Sequence, residues 1–266
     1  MLRVGLTGGL GSGKSTVAAI LREFGAHIIE SDALGRQMME PGQPVYSEIV
    51  RAFGPEIVDP DGRLNRPRLA QLAFQGGRLN DLNAIVHPAV IAAQQHWMEG
   101  IFAHDPAAIA IVESALIFEV VRDARARGEK ESARGANGST LAGAPGDRSS
   151  SPGWLAGAPG DRSSSLGWLA DWRRRIDRIV VVTAPDDLKI ARYAARISPP
   201  GPSRQAAEAD ARQRLTHQIP DLEKAAMSDY VIDNTGDKES LCAQVAALWQ
   251  RLKADSNNSS PNLPLK

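Results

Sequence analysis

"LTGGLGSGKST", residues 6–16, satisfies the pattern G-x-x-x-x-G-K-[ST] at Gly8, Gly13, Lys14 and Ser15. The stretch follows a β-branched run and precedes one with helical spacing, the strand–loop–helix setting in which the pattern cradles phosphate. A chance match in a chain of 266 residues has odds on the order of one per cent before that setting is considered. Glycines let backbone N–H groups converge on phosphate oxygens, and the following helix adds unpaired donors and the positive end of its dipole. The pattern therefore assigns Gly8, Gly11, Ser12 and Gly13 to a cradle for a nucleoside triphosphate. Lys14 is assigned to the β- and γ-phosphates, the Ser15 hydroxyl to Mg2+, and Thr16 to the α-phosphate.

Outward from the loop, short apolar runs alternate with stretches of helical spacing, which predicts an α/β fold with a parallel sheet. Five strands are expected: residues 3–7, 27–30, 108–113, 178–183 and 230–233. The third and fourth are almost wholly apolar, as strands covered on both faces by helices are. A first helix is expected from Gly13 to Phe24, and a last one from about Asp237 to Ala254 with Leu241, Val245, Leu248 and Leu252 on its core side. Residues 36–106 hold helical patterns and no strand, and read as a helical lobe inserted between the second and third strands. In residues 122–171, "LAGAPGDRSSSPGW" (141–154) is followed at once by "LAGAPGDRSSSLGW" (155–168), copies that differ only at Pro152 and Leu166. This low-complexity insertion has too few apolar groups to offset the entropy of ordering it, and two copies are too few for a solenoid. The polar residues 255–266 read as a disordered tail.

Composition narrows the classes. The 31 basic and 31 acidic residues cancel, so no global field points to nucleic acid or an anionic membrane. No segment approaches a membrane span, and Cys242 is the only cysteine, which fits a reducing cytoplasm. No obligate protein partner is evident. A regulatory GTPase is disfavoured, because the guanine-reading N-K-x-D segment is absent and "DALG" (32–35) is too short to stand for a switch.

The acceptor is approached through two carboxylates. Asp32 follows the second strand at its carboxyl end, where ligands of open parallel sheets gather. It can orient an acceptor hydroxyl, or it can cap a helix beginning near Leu34. Glu113 ends the third strand, as a Mg2+-binding acid would, or as a solvated strand-end acid. Arg192 and Arg196, four apart on an expected helix, share a face that suits either solvent or a transferring phosphoryl group.

"GLTGGLGSGKSTVA", "ESDALGRQMMEPG", "NAIVHPAV", "LIFE" and "QIPDLEKAAMSDYVIDNTG" stand in the order found in dephospho-CoA kinases, and the chain outside the insertion and tail resembles that family. The resemblance implies a P-loop kinase domain over 1–254 that uses MgATP to phosphorylate the 3′-hydroxyl of the ribose in dephospho-CoA, the last step of coenzyme A synthesis. It implies that Asp32 faces that hydroxyl, that 36–106 is the acceptor-binding lobe with Arg36 and His87 near the acceptor, and that 186–225 is a lid carrying Arg192 and Arg196. It places Asn234 near the adenine. On the residues alone, Pro88 suits the first turn of a helix with His87 just ahead of it. Two departures from the family pattern are Ala115, where proline is usual, and Ile197 with "SPPGPS" after Arg196. Other readings are a shikimate-type metabolite kinase, whose paired acids Glu30 and Asp32 imitate, and a non-catalytic nucleotide-gated interaction protein.

Overall fold

Side chains along a strand alternate between faces, so a run of consecutive apolar residues is stable only when both faces are covered. In this computed structural model, which describes residues 1–136, 171–197 and 203–258, that is the arrangement found. Strands β1 (Leu2–Thr7), β2 (His27–Glu30), β3 (Ile109–Glu113), β4 (Arg178–Thr183) and β5 (Tyr230–Asp233) form one sheet in the order β2-β3-β1-β4-β5. Every pairing is parallel, and the register sets Leu6 opposite both Glu113 and Val180, and Thr183 opposite Asp233. The parallel five-stranded sheet expected from the sequence is present.

On one face, Leu2, Val4 and Leu6 join Ile109, Ile111, Val180 and Val182 against α1 (Lys14–Glu23) and the last helix, Lys238–Asn258. Leu241, Val245, Leu248 and Leu252 of that helix face the sheet as their spacing predicts. On the other face Ile179 and Val181 meet Ile117, Phe118 and Val121, while Ala110 and Val112 meet Met98. Each buried aliphatic side chain contributes roughly 1.5–3 kcal/mol, so these contacts, more than helix propensity, hold the flanking helices. Gly5 is part of the same packing, because a Cβ there would come within 2.8 Å of Ile117.

The described residues divide into two compact units. One comprises Met1–Glu30, Trp97–Val121 and the described residues from Asp171 onward, and contains the sheet. The other comprises Ser31–His96 and residues 122–136. Within the second unit, α2 (Ser31–Met38), α3 (Pro44–Phe53), α4 (Arg66–Ala70) and the first part of α5 (Leu79–His104) surround Val45, Ile49, Phe53, Ile57, Leu69 and Ala89. An isolated bridge, Val58 to Leu64, is the extended pairing there, with no strand among the described residues of this unit. The remaining α-helices among the described residues are α6 (Ile117–Ala136), α7 (Asp186–Ile197), α8 (Arg204–Thr216), α9 (Asp221–Ala226) and α10 (Lys238–Asn258). No helix among the described residues is long and apolar enough to cross a membrane.

Several boundaries differ from the sequence reading. α6 continues to Ala136, beyond Arg122 where the insertion was expected to begin, and Val121 and Ala124 along it are buried. α10 reaches Asn258 instead of ending near Ala254, because Asp255 pairs with Arg178 at 2.7 Å and accepts a hydrogen bond from the Tyr230 hydroxyl at 2.7 Å. Burial pushes the Asp255 carboxyl up, but the bonds from Tyr230 and Arg178 and the guanidinium charge more than offset it, so its pKa lies below the ordinary value. α2 starts at Ser31, three residues before Leu34, and Pro88 lies inside α5 instead of in its first turn. The helix carries through that proline at the cost of one backbone hydrogen bond. The tandem repeat, "SPPG" at 198–201 and residues 259–266 lie outside the described residues.

Candidate active site

β1 ends at Thr7, and the chain turns through Gly8 to Gly13 before α1 begins at Lys14. Gly8 has φ 147° and Gly13 φ 96°, conformations that side chains avoid. Both are also pressed against neighbours: a Cβ on Gly8 would strike the Val182 carbonyl of β4, and one on Gly13 would strike the Asn234 amide. α1 starts without an acidic residue in its first turn and without a side-chain cap, and Ser15 and Thr16 are exposed there. The positive end of the helix dipole is thus left without a compensating side chain at Lys14 and Ser15, while the Thr16 N–H is taken by the Gly13 carbonyl at 3.0 Å.

Lys14 folds over the loop, its Nζ donating to the carbonyl oxygens of Gly8 and Gly9 at 3.0 Å each. Ser12 is fully buried, and its Oγ has no hydrogen-bond partner among the described residues. Asn234 braces the loop from below. Its Nδ2 donates to the Ser12 carbonyl at 2.7 Å, and its backbone N–H donates to Thr183 at 2.9 Å. The Asn234 carbonyl accepts from Arg192 Nη2 at 3.0 Å, and Arg192 Nη1 is buried with no partner among the described residues. Ser12 Oγ and Arg192 Nη1 are therefore two buried donors on either side of Asn234, each suited to an anion's oxygen. Arg196, one turn further along α7, is exposed, with its guanidinium carbon 5.6 Å from the centre of the Tyr193 ring. Glu113 ends β3 opposite Leu6, beside the strand from which the loop departs.

Residues that the sequence reading did not single out hold this assembly. Asp221 accepts the Gly9 N–H at 3.0 Å, Gln218 accepts the Leu10 N–H at 3.0 Å, and Lys189 pairs with Asp221 at 2.9 Å. Lys224 is fully buried. Its ammonium lies 2.8 Å from Glu119 and donates to the Ala115 carbonyl, while Glu119 also accepts the Ile219 N–H. "LIFE" and "QIPDLEK" are thereby joined by an ion pair. A buried lysine four residues from a Pro-Asp pair carries no periodic signal, so only the quoted motifs pointed to this segment.

In the second unit, Asp32 sits in the first turn of α2, exposed, and its carboxylate takes part in no hydrogen bond or ion pair among the described residues. It is inside the helix and does not cap it. The turn that carries it is fixed by Gln94, buried on α5, which donates to Ser31 Oγ at 2.8 Å. One turn along, a Cβ on Gly35 would be in van der Waals contact with Val90, so α2 lies close against α5. Arg36 is exposed on α2, and His87 is part-buried within α5.

The chain resembles known proteins over almost its whole length. A model of the dephospho-CoA kinase family matches residues 2–127 and 169–240. The chain belongs to the dephospho-CoA kinase family. A dephospho-CoA kinase of Moorella thermoacetica is 33% identical over 254 residues, 95% of this chain and 93% of the relative. One of Corynebacterium efficiens is 34% identical, covering 95% of this chain and all of the relative. Among solved structures, one from Thermus thermophilus superposes with a TM-score of 0.60 at 28% identity, covering 94% of this chain and 96% of that one. The dephospho-CoA kinase from Campylobacter jejuni, at 17% identity and a TM-score of 0.55, shares the fold over 95% of this chain and 97% of its own. Members of this family are kinases of coenzyme A synthesis. The enzyme's reaction is the ATP-dependent phosphorylation of dephospho-CoA.

Proposed function

We propose that the loop from Gly8 to Thr16 holds the triphosphate of ATP and that Asp32 orients the ribose 3′-hydroxyl of dephospho-CoA and takes up its proton. The observation that supports the Asp32 assignment is its state: an exposed carboxylate, free of capping or pairing, on a turn locked by Gln94. A base placed beside a hydroxyl contributes positioning and proton transfer, which together lower the barrier without a covalent intermediate. Lys14, the backbone donors of Gly11 and Gly13 and the unpartnered Ser12 Oγ neutralise the phosphates, the Ser12 N–H being taken by the Gly9 carbonyl, and Arg192, with its unpartnered buried Nη1, is suited to the transferring group. Arg196, over Tyr193, joins it only if the side chain turns, in keeping with the lid role read for 186–225. Asn234 supports the adenine side through the loop it braces. Arg36 and His87 belong to the acceptor side within the lobe 36–106.

Mg2+ fits the residues present. No group of three His, Cys, Asp or Glu side chains able to hold a metal exists among the described residues, which suits an ion held mainly by phosphates and water with one or two protein oxygens. The exposed Ser15 hydroxyl and Glu113 would supply those oxygens, and the bound ion would offset charge on the phosphates. We place the enzyme in the cytoplasm from its single cysteine and the chemistry of its substrates.

The test is ADP release that depends on dephospho-CoA, with the new phosphate located on the ribose of the product. Asp32→Asn keeps the shape and removes the charge, and is expected to lower kcat roughly 100-fold with little change in MgATP affinity. Activity within about threefold of the parent would remove Asp32 from this role.

A further inference from the structure

Lys189 of α7 has a side chain only 4% exposed, and the phosphate loop folds around it. A Cβ on Gly9 would lie 3.0 Å from its Nζ, and one on Gly11 would strike its backbone carbonyl. The ammonium pairs with Asp221 at 2.9 Å and with the exposed Asp186 at 2.7 Å. Asp221 turns its other oxygen to the Gly9 N–H at 3.0 Å, and Gln218 accepts the next N–H, that of Leu10, at 3.0 Å. Two successive amides of the loop are thus held by one short segment, which Lys224 and Glu119 anchor below the sheet face at Ile117–Val121.

A buried lysine–aspartate pair seldom stabilises a fold more than two well-packed aliphatic side chains would. What the carboxylate adds is an acceptor for Gly9, and what the ammonium adds is a fixed rotamer for that carboxylate. We infer that Lys189 and Asp221, with Gln218, are positioning residues for the ATP phosphates: they hold Gly9 and Leu10 so that the donors further along the loop are preset before nucleotide arrives. None of the three need touch substrate. A preset loop reduces the ordering cost of binding, so its loss appears in ATP affinity and spares the affinity for the acceptor. The inference rests on the reading that this loop holds ATP.

Two double variants of the full chain test it. Both carry Lys189→Met, so neither leaves a buried, unpaired ammonium. One adds Asp221→Asn, which keeps an acceptor oxygen for Gly9, and the other adds Asp221→Leu, which removes it. MgATP affinity is measured by calorimetry without acceptor, alongside Tm, kcat and the KM of each substrate. The Leu variant should bind MgATP at least about fivefold more weakly than the parent, equivalent to ~1 kcal/mol at 1.4 kcal/mol per factor of ten. Its KM for dephospho-CoA should move less than about twofold, the size of an effect confined to ATP binding. The Asn variant should recover at least half of the loss on a logarithmic scale. Equal MgATP affinities in the two variants, or affinities that follow Tm instead of the acceptor, overturn the inference. Should the Leu variant not fold, Asp221→Asn and Asp221→Ala alone repeat the comparison, and equal affinities there overturn it as well. A parent that binds no MgATP would remove the reading of the loop itself, and the inference with it.

Discussion

Asn234 spends its side chain on the Ser12 carbonyl and its backbone on Thr183 and Arg192, so one residue links β4, α7 and the phosphate loop. Gly13 is what lets it approach, since a Cβ would collide with the Asn234 amide and would be strained at φ 96°. Gly13→Ala should therefore weaken MgATP binding at least tenfold, the sum of a steric clash and about 1–2 kcal/mol of left-handed strain. Removing the obstructing amide with Asn234→Ala in the same chain relieves the clash and leaves the strain. The double variant should bind at least about threefold better than Gly13→Ala alone, although Asn234→Ala by itself weakens binding through the lost hydrogen bond. Strictly additive losses across the four proteins, read by calorimetry, would show that the contact carries no weight. At this scale the loop was legible because G-x-x-x-x-G-K-[ST] is a local code for backbone shape. The braces were not legible: Gly9 and Asp221 are separated by 212 positions, and nothing local marks their pairing.

The short helix α9 and the start of α6 depend on each other through Lys224 and Glu119. Both side chains are shielded from water, at 0% and 4% exposure, and the ammonium also satisfies the Ala115 carbonyl while the carboxylate satisfies the Ile219 N–H. Lys224→Met leaves the carboxylate buried without its counter-charge and should cost about 3–5 kcal/mol in denaturant unfolding. Adding Glu119→Gln removes the stranded charge and keeps an oxygen for Ile219, so the double variant should regain at least half of that loss. A double variant no more stable than Lys224→Met would mean that the two side chains act independently. Helix limits were legible to within a few residues wherever a cap or a periodic apolar face defined them, as in α1. They were misread where tertiary contacts override local signals. Gln94 extends α2 back to Ser31, Asp255 draws α10 beyond Ala254, and α5 runs on through Pro88.

At the scale of the whole molecule, the apolar runs foretold a parallel sheet because strands buried on both faces have few sequence solutions. The connection between β3 and β4 is where composition and structure part. The sequence reading opens the insertion at Arg122, whereas α6 runs to Ala136 and Ala124 on it is 1% exposed. The family model passes from residue 127 to 169, leaving out the segment that holds both repeats. Two deletions separate the readings. Replacing residues 128–168 with a short Gly/Ser linker removes only what the family model omits. Replacing that segment of about forty residues with about six returns roughly 2 kcal/mol of closure entropy at most and removes the last turns of α6 at 128–136, so Tm should change little and kcat/KM should stay within about threefold. Replacing residues 122–170 also removes Ala124 and the turns that continue α6 beyond Val121. That protein should be less stable than the first by at least about 1 kcal/mol, a Tm difference of ~2–4 °C for a chain of this size. Calorimetric scans of both proteins beside the parent, with dephospho-CoA kinase assays, decide the matter. A tenfold loss of kcat/KM in the shorter deletion would show that the repeats serve catalysis, and equal stability of the two would place the end of the working helix at Val121.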